Sequence, residues 1–215
     1  MKEQTRAQIE KYFSEYGGQE YLKGGFYAAL AALLETYGRG GKILVCGNGG
    51  SAADSEHFSG ELLKGFEKRR PLKKEVRERF SAMFGKEGEF IAGGLQRGIK
   101  CIPLVSFTAA STAFINDCDG RLMFSQLVNA LGDQGDVLVA FSTSGNSENV
   151  VYAAMTAKAL GLKVIGFTGE AGGRLKEIAD ITFNVPETRT FKVQEMHLPL
   201  YHLLCLAVEN ELFDE

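Results

Sequence analysis

Near the start of the chain, Ile9, Phe13, Tyr21, Phe26, Leu30 and the pair Leu33–Leu34 recur at helix-like spacing, and Gly17–Gly18 divides the run in two. After Gly38-Arg39-Gly40-Gly41 the period changes. Lys42-Ile43-Leu44-Val45-Cys46 is a short apolar run bounded by glycines, the pattern of a strand buried on both faces. From there short apolar runs alternate with helical patterns. The predicted strands are Ile43–Cys46, Ile102–Ser106, Val137–Phe141, Val164–Thr168 and Ile181–Val185. The predicted helices are Ala52–Leu63, Ala110–Leu131, Ser147–Leu160, Arg174–Ala179 and Gln194–Phe213. This alternation predicts an α/β fold, a three-layer sandwich around a mainly parallel five-stranded sheet with helices at its N-terminal end. Ligands of such a fold gather at the carboxyl ends of the strands.

A single domain over residues 1–215 accounts for this pattern, with 1–40 as a helical N-terminal extension. One stretch departs from it. Lys73–Arg97 is charged, with scattered aromatics and a glycine pair, and reads as an insertion within the domain. Its first part is patterned as an amphipathic helix with Val76, Phe80 and Phe84 on one face. A surface excursion, a lid and an oligomer contact are the readings open to it.

Composition narrows the function classes. Hydrophobic residues make up 45% of the chain and charged residues 24%, an ordinary balance for a globular protein. The formal net charge of −3 gives no overall attraction to nucleic acid or to an anionic membrane, so a phosphorylated ligand would need a local site. No apolar run reaches the roughly 18 residues of a membrane span. The segment MKEQTRAQIEKYF mixes acids with bases and does not read as a signal peptide. Four cysteines without a CxxC spacing, three of them within apolar runs (Cys46, Cys101, Cys205), read as thiols of a reducing compartment, the cytoplasm.

Two loops carry the candidate binding chemistry. The first predicted strand ends in Gly47-Asn48-Gly49-Gly50-Ser51, directly before a helix. Glycines let the backbone come close to a ligand, the N–H groups of a helix start favour an anion, and Ser51 is a natural N-cap. The loop lacks GxGxxG and no Walker lysine follows, which disfavours dinucleotides and nucleoside triphosphates. The third strand ends in Ser142-Thr143-Ser144-Gly145-Asn146-Ser147, again before a helix. Its four hydroxyls and backbone amides suit a phosphate monoester. Two such loops at one end of a sheet point to a phosphosugar.

The chain holds three histidines. His57 and Glu61, at i and i+4, share a helix face. Gln194 and His202 lie near the start and middle of the last helix on roughly one side, with His197 between them and read as structural. A His/Glu pair joined by a second His and an amide oxygen can form a first shell for Zn²⁺, and equally an acid–base pair.

Taken in order, GNGGSAADSEHFSGEL (Gly47–Leu62), Asn116-Asp117, STSGNS (Ser142–Ser147), TGEAGG (Thr168–Gly173) and QEMHLPLYH (Gln194–His202) resemble the sugar isomerase (SIS) domain, and within it the phosphoheptose isomerases. The resemblance covers almost the whole chain outside Lys73–Arg97. It implies a flavodoxin-like sheet, a homotetramer and active sites shared between subunits. It also implies that Asn48, Gly49, Gly50, Ser51 and Gln194 contact substrate, that Ser142, Thr143, Ser144 and Ser147 hold its phosphate, and that Asn116 and Asp117 meet sugar hydroxyls. His57, Glu61, Gln194 and His202 would be the metal or catalytic set, around one Zn²⁺ per site.

The implied reaction converts sedoheptulose 7-phosphate to D-glycero-D-manno-heptose 7-phosphate, the first step toward activated heptose for lipopolysaccharide or surface glycans. A ketose-to-aldose shift removes a proton beside a carbonyl and returns it to the neighbouring carbon through an enediol. Glu61 is the candidate base and His202 the candidate for proton exchange with the sugar oxygens. One departure from the family pattern stands out: a Thr-Gly-Arg commonly follows the catalytic Glu, whereas Glu61 is followed by Leu62-Leu63-Lys64-Gly65, with Lys64 as a substitute positive charge. The rival expectations are an isomerase of another phosphosugar and a non-catalytic SIS-domain regulator of replication initiation. A nucleic-acid-binding regulator is disfavoured, because the first forty residues lack a helix-turn-helix with basic recognition residues.

Overall fold

The computed structural model describes residues 1–214. Five strands, β1 (Ile43–Cys46), β2 (Cys101–Pro103), β3 (Val137–Phe141), β4 (Lys163–Thr168) and β5 (Ile181–Asn184), form one sheet in the order β2-β1-β3-β4-β5. Every pairing is parallel. This is the flavodoxin-like order that the family resemblance implies, and it reverses direction between β1 and β3, where α/β sheets open a crevice for ligands.

Strand alternation sorts the apolar residues onto two faces. Ile43, Val45, Val137, Val139, Phe141, Ile165 and Phe167 join one buried cluster. That face is covered by α1 (Glu3–Glu15), α2 (Lys23–Gly38), α3 (Gly50–Leu63) and α9 (Thr190–Leu212). Leu44, Cys46, Leu138, Ala140 and Val164 point the other way, into a cluster with α6 (Met123–Leu131), α7 (Glu148–Ala159) and α8 (Gly173–Ile178). A sheet covered on both faces needs strands that are apolar throughout, and β1 and β3 are buried at every position.

Beyond shifts of one to four residues at element ends, three features differ from the sequence reading. Strand β2 stops at Pro103 and passes into a 3-10 turn over Leu104–Ser106, because proline has no N–H to continue the ladder. The single helix expected over Ala110–Leu131 is two, α5 (Thr108–Asp117) and α6. Between them the Asp119 carboxylate accepts the Arg121 N–H at 2.9 Å and starts a 3-10 turn. Ser51 is not the N-cap of α3. That position is Gly49, and Ser51 lies buried inside the first turn.

The Lys73–Arg97 segment is helical. Helix α4 (Lys74–Gly94) breaks at Gly85 (φ 56°, ψ −132°) into two arms, of which only Gly88 and Ala92 are buried. Phe80 and Phe84 come together with ring centroids 6.4 Å apart, as the pattern predicts, but Val76 and Phe84 remain exposed. The base of the segment is held firmly. Pro71 bridges Gln96, the Arg97 N–H donates to the Arg70 carbonyl at 2.6 Å, and the Phe213 ring lies between the Arg70 and Arg97 guanidiniums at 4.7 and 4.8 Å.

Arg70 itself is fully buried. Its Nε donates to Glu209 Oε1 at 2.7 Å, and Nη1 and Nη2 donate to the carbonyls of Leu62 and Glu61 at 2.8 and 3.2 Å. Burial pushes the Glu209 carboxyl up, but the N–H groups of Glu67, Phe66 and Lys68 together with Arg70 outweigh it and hold the group below its usual range. Removing one partner of a buried pair strands the other charge, which costs about 3–5 kcal/mol. Arg70→Met should lower the unfolding free energy in urea by that amount; a loss under about 1 kcal/mol, typical of an exposed pair, would contradict the assignment.

Candidate active site

The crevice at the β1/β3 crossover is built from two loops. Gly49 (φ 56°, ψ −120°) turns the chain from β1 into α3 with a backbone that side-chain-bearing residues rarely adopt. Gly145 (φ 66°) makes the corresponding turn after β3, and a Cβ there would lie 1.9 Å from the Gly172 carbonyl oxygen. The Thr168–Gly173 stretch thus backs the Ser142–Ser147 loop: the Leu175 N–H donates to the Gly145 carbonyl at 2.9 Å and the Gly169 N–H to that of Thr143 at 2.9 Å. Ser147 is the N-cap of α7, yet its hydroxyl makes no cap bond and instead accepts from the Ser142 hydroxyl at 3.1 Å. Two of the loop's hydroxyls, Ser142 and Ser147, are therefore held beside one another at a helix start, an arrangement suited to a phosphate.

The two loops are tied together by Asn48 and Asn149, whose side-chain amides exchange a pair of hydrogen bonds at 2.8 and 2.9 Å. Two bonds between flat amides fix both the distance and the relative orientation of the loops.

Helix α3 then runs alongside α9 in the same direction. Gln194 rests its amide against Gly50, so close that a Cβ at Gly50 would lie 2.6 Å from it. Two turns further on, His57 Nε2 lies 3.1 Å from Glu61 Oε1 and 3.3 Å from His202 Nε2. Lys64 Nζ donates to Glu61 Oε2 at 3.2 Å. Burial and the neighbouring His57 push the His202 imidazole below its ordinary value, against the pull of Glu61. Behind His57 stands Asp54, whose carboxyl burial raises to about 6 despite the Tyr201 hydrogen bond and the nearby His57.

The remaining candidates are placed apart from this cluster. Asn116 and Asp117 end α5, exposed, with the Asn116 amide donating to the Asp117 carboxylate at 2.9 Å. His197 is fully buried, hydrogen-bonded to the Thr168 carbonyl at 3.1 Å, and burial lowers its pKa to about 4, so it stays neutral in the core. Gln194 precedes His202 by eight residues, about 12 Å of helix, and its amide rests against Gly50 at the first loop.

That group has the right donors for zinc. Tetrahedral ligands about 2.05 Å from a Zn²⁺ are about 3.3 Å from one another, and the two pairs around His57 Nε2 match this spacing. Among the described residues, however, no three His, Cys, Asp or Glu side chains are gathered as a complete cage. His57 Nε2 is the shared corner of the two close pairs, with Glu61 and with His202.

A family model for the SIS domain matches residues 81–169. Over 207 residues the chain is 38% identical to the phosphoheptose isomerase of Burkholderia pseudomallei (strain 1710b), a match taking in 96% of this chain and 92% of that protein. It is 40% identical over 179 residues to the phosphoheptose isomerase of Aliarcobacter butzleri (strain RM4018), covering 83% and 81% of the two chains. The solved structure of phosphoheptose isomerase GmhA from Neisseria gonorrhoeae superposes with a TM-score of 0.72 at 32% identity, over 95% of this chain and 98% of that one. The chain belongs to the phosphoheptose isomerase family.

Within a phosphoheptose isomerase frame, Lys64 reaches the carboxylate of Glu61 itself, giving the substitute charge a defined partner. Three polar residues at the site escaped the sequence reading: Asn149, Asp54 and Tyr201. Of these, Asn149 has the most direct consequence. Asn149→Ala removes both bonds between the loops, so the KM for a phosphorylated sugar should rise by about tenfold, the worth of roughly 1.4 kcal/mol, with kcat changing less. Steady-state kinetics of the variant test this. An unchanged KM would mean the loops hold their spacing without the amide pair.

Proposed function

We propose that this chain is a phosphosugar aldose–ketose isomerase that converts sedoheptulose 7-phosphate to D-glycero-D-manno-heptose 7-phosphate, the first step of activated-heptose biosynthesis. The observation that carries the reading is the meeting of His57, Glu61 and His202 on two parallel helices, next to a pair of loops joined at the sheet's crossover. The full-length similarity to phosphoheptose isomerases supports the same substrate.

In this reading the hydroxyls of Ser142, Thr143, Ser144 and Ser147 receive the phosphate, with α7 beginning at the anion. Asn48, Gly49, Gly50, Ser51 and Gln194 line the sugar, and Asn116 and Asp117 approach its hydroxyls. Glu61 removes the proton from the carbon beside the carbonyl and returns it to the adjoining carbon, passing through an enediol. His202, its pKa lowered by burial and by His57, exchanges protons with the two sugar oxygens as the carbonyl migrates. Lys64 keeps a positive charge beside Glu61.

His57, Glu61 and His202 would hold Zn²⁺, with Gln194 as a fourth ligand after a change in its side-chain position. When bound, the ion supplies a Lewis acid for the carbonyl and enediolate oxygens. The assembly in this reading is a homotetramer with shared active sites. Its support is the openness of the site on one chain, where the His57 side chain is 45% exposed. We place the protein in the cytoplasm, consistent with its free cysteines; among the described residues no helix is long and apolar enough to cross a membrane.

The test is turnover of sedoheptulose 7-phosphate with product separated by chromatography. Glu61→Gln, which keeps shape but removes the base, should lower kcat by about 10²–10⁴-fold while substrate still binds. A variant with near-normal kcat would remove Glu61 from the chemistry. Turnover of other sugar phosphates but not of the heptulose would overturn the substrate.

A further inference from the structure

Helix α9 brings Tyr201 to the site immediately before His202. Its ring is fully buried, edge-on to Phe58 and Phe141, so packing dictates where the hydroxyl points. The hydroxyl lies 3.3 Å from Asp54 Oδ1 and 3.0 Å from His57 Nδ1. Asp54 Oδ2 is buried with no partner, so the tyrosine is the side chain that satisfies this carboxylate.

The direction of the two bonds follows from the inventory of protons. A phenol has one hydrogen to give, and an ionised carboxylate only accepts. The Tyr201 hydroxyl therefore donates to Asp54, and its oxygen receives a hydrogen from His57 Nδ1. A neutral imidazole with its proton on Nδ1 carries its lone pair on Nε2. That nitrogen faces Glu61 Oε1 and His202 Nε2 at 3.1 and 3.3 Å. A lone pair and a carboxylate meeting in this way repel each other, and a cation or a substrate hydroxyl placed between them relieves the repulsion. Without the tyrosine hydroxyl the balance reverses: a proton on Nε2 would satisfy Glu61 directly and close the nitrogen to any ligand.

We propose that Tyr201 is a positioning residue that, backed by Asp54, locks His57 in the Nδ1–H tautomer and presents its Nε2 as an acceptor or metal ligand in the site. Partners on the far nitrogen of a ligating histidine commonly control both ring orientation and affinity, by about 10–100-fold. The proposal rests on the reading of His57 as part of the isomerase site, but its test has readouts that do not require turnover.

The experiment compares the wild type with Tyr201→Phe, which keeps the ring packing and deletes only the hydroxyl. The metal-free protein is observed by ¹⁵N NMR of the His57 ring, at a pH about two units above the ordinary histidine pKa. The wild type should give the Nδ1–H pattern and the variant a shift to Nε2–H. Zn²⁺ binding by calorimetry should weaken by about 10–100-fold in the variant. If Tyr201→Phe does not fold, Asp54→Ala carries the test: with no acceptor at position 54 the hydroxyl is free to donate to His57 Nδ1, and the tautomer should again reverse. An unchanged tautomer together with Zn²⁺ affinity within about twofold of wild type would overturn the proposal. A wild type that shows the expected tautomer and zinc response but no heptulose turnover would overturn the proposed substrate and leave the role of Tyr201 standing.

Discussion

Helices α3 and α9 lie side by side and run in the same direction, and their register is pinned at three levels. At the top, Gln194 packs against Gly50. In the middle, Tyr201 bonds Asp54 and His57. At the bottom, Glu209 accepts from Arg70 and from the backbone just beyond α3. Successive levels are roughly two helical turns apart, so a slip by one turn would break all of them at once. Glu61 and His202 are on different helices, and their meeting depends on that register. The lowest level is also the most costly to disturb, since it buries a full ion pair and ties the end of α3, at Glu61 and Leu62, to Arg70.

The sheet supplies the second half of the site. Parallel pairing of β1 with β3 sets their carboxyl ends next to each other, and each continues through a glycine turn into a helix. The Asn48–Asn149 pair joins the loops across the crossover, while the Thr168–Gly173 stretch supports the serine-rich loop from behind. The first loop and the His57–Glu61–His202 group are connected through α3, whose first residue follows that loop and whose second and third turns carry His57 and Glu61.

Much of this was legible in the residue pattern. The strands followed from buried apolar runs alternating with amphipathic stretches, because a sheet covered on both sides leaves that signature, whereas their flavodoxin-like order came from the resemblance to the SIS family. The His57–Glu61 spacing, the serine-rich loop and the motif order picked out residues of which the structure brings His57, Glu61 and His202 together. Asp54 and Tyr201, inside helices, and Asn149, in the first turn of α7, went unread because a polar residue on a helix has no local pattern of its own; its role exists only once another helix or loop is laid beside it. Arg70 and Glu209 left a fainter trace, since an acid within the apolar run Leu203–Val208 and onward is a place to look for a buried partner. The misplaced end of β2 and the split of the Ala110–Leu131 helix trace to Pro103 and to the Asp119 turn, single residues that outweigh a favourable hydrophobic period.

The account stands most directly on proton abstraction by this chain's own site, and incubation with sedoheptulose 7-phosphate in D₂O reads that step. Heptose 7-phosphate carrying deuterium at C2 by NMR is the predicted result, since a proton taken up by Glu61 exchanges with solvent before it is returned. Product formed with no solvent deuterium at C2 would contradict an exchanging enediol route through Glu61, and protein that binds the sugar phosphate without converting it would contradict the isomerase itself.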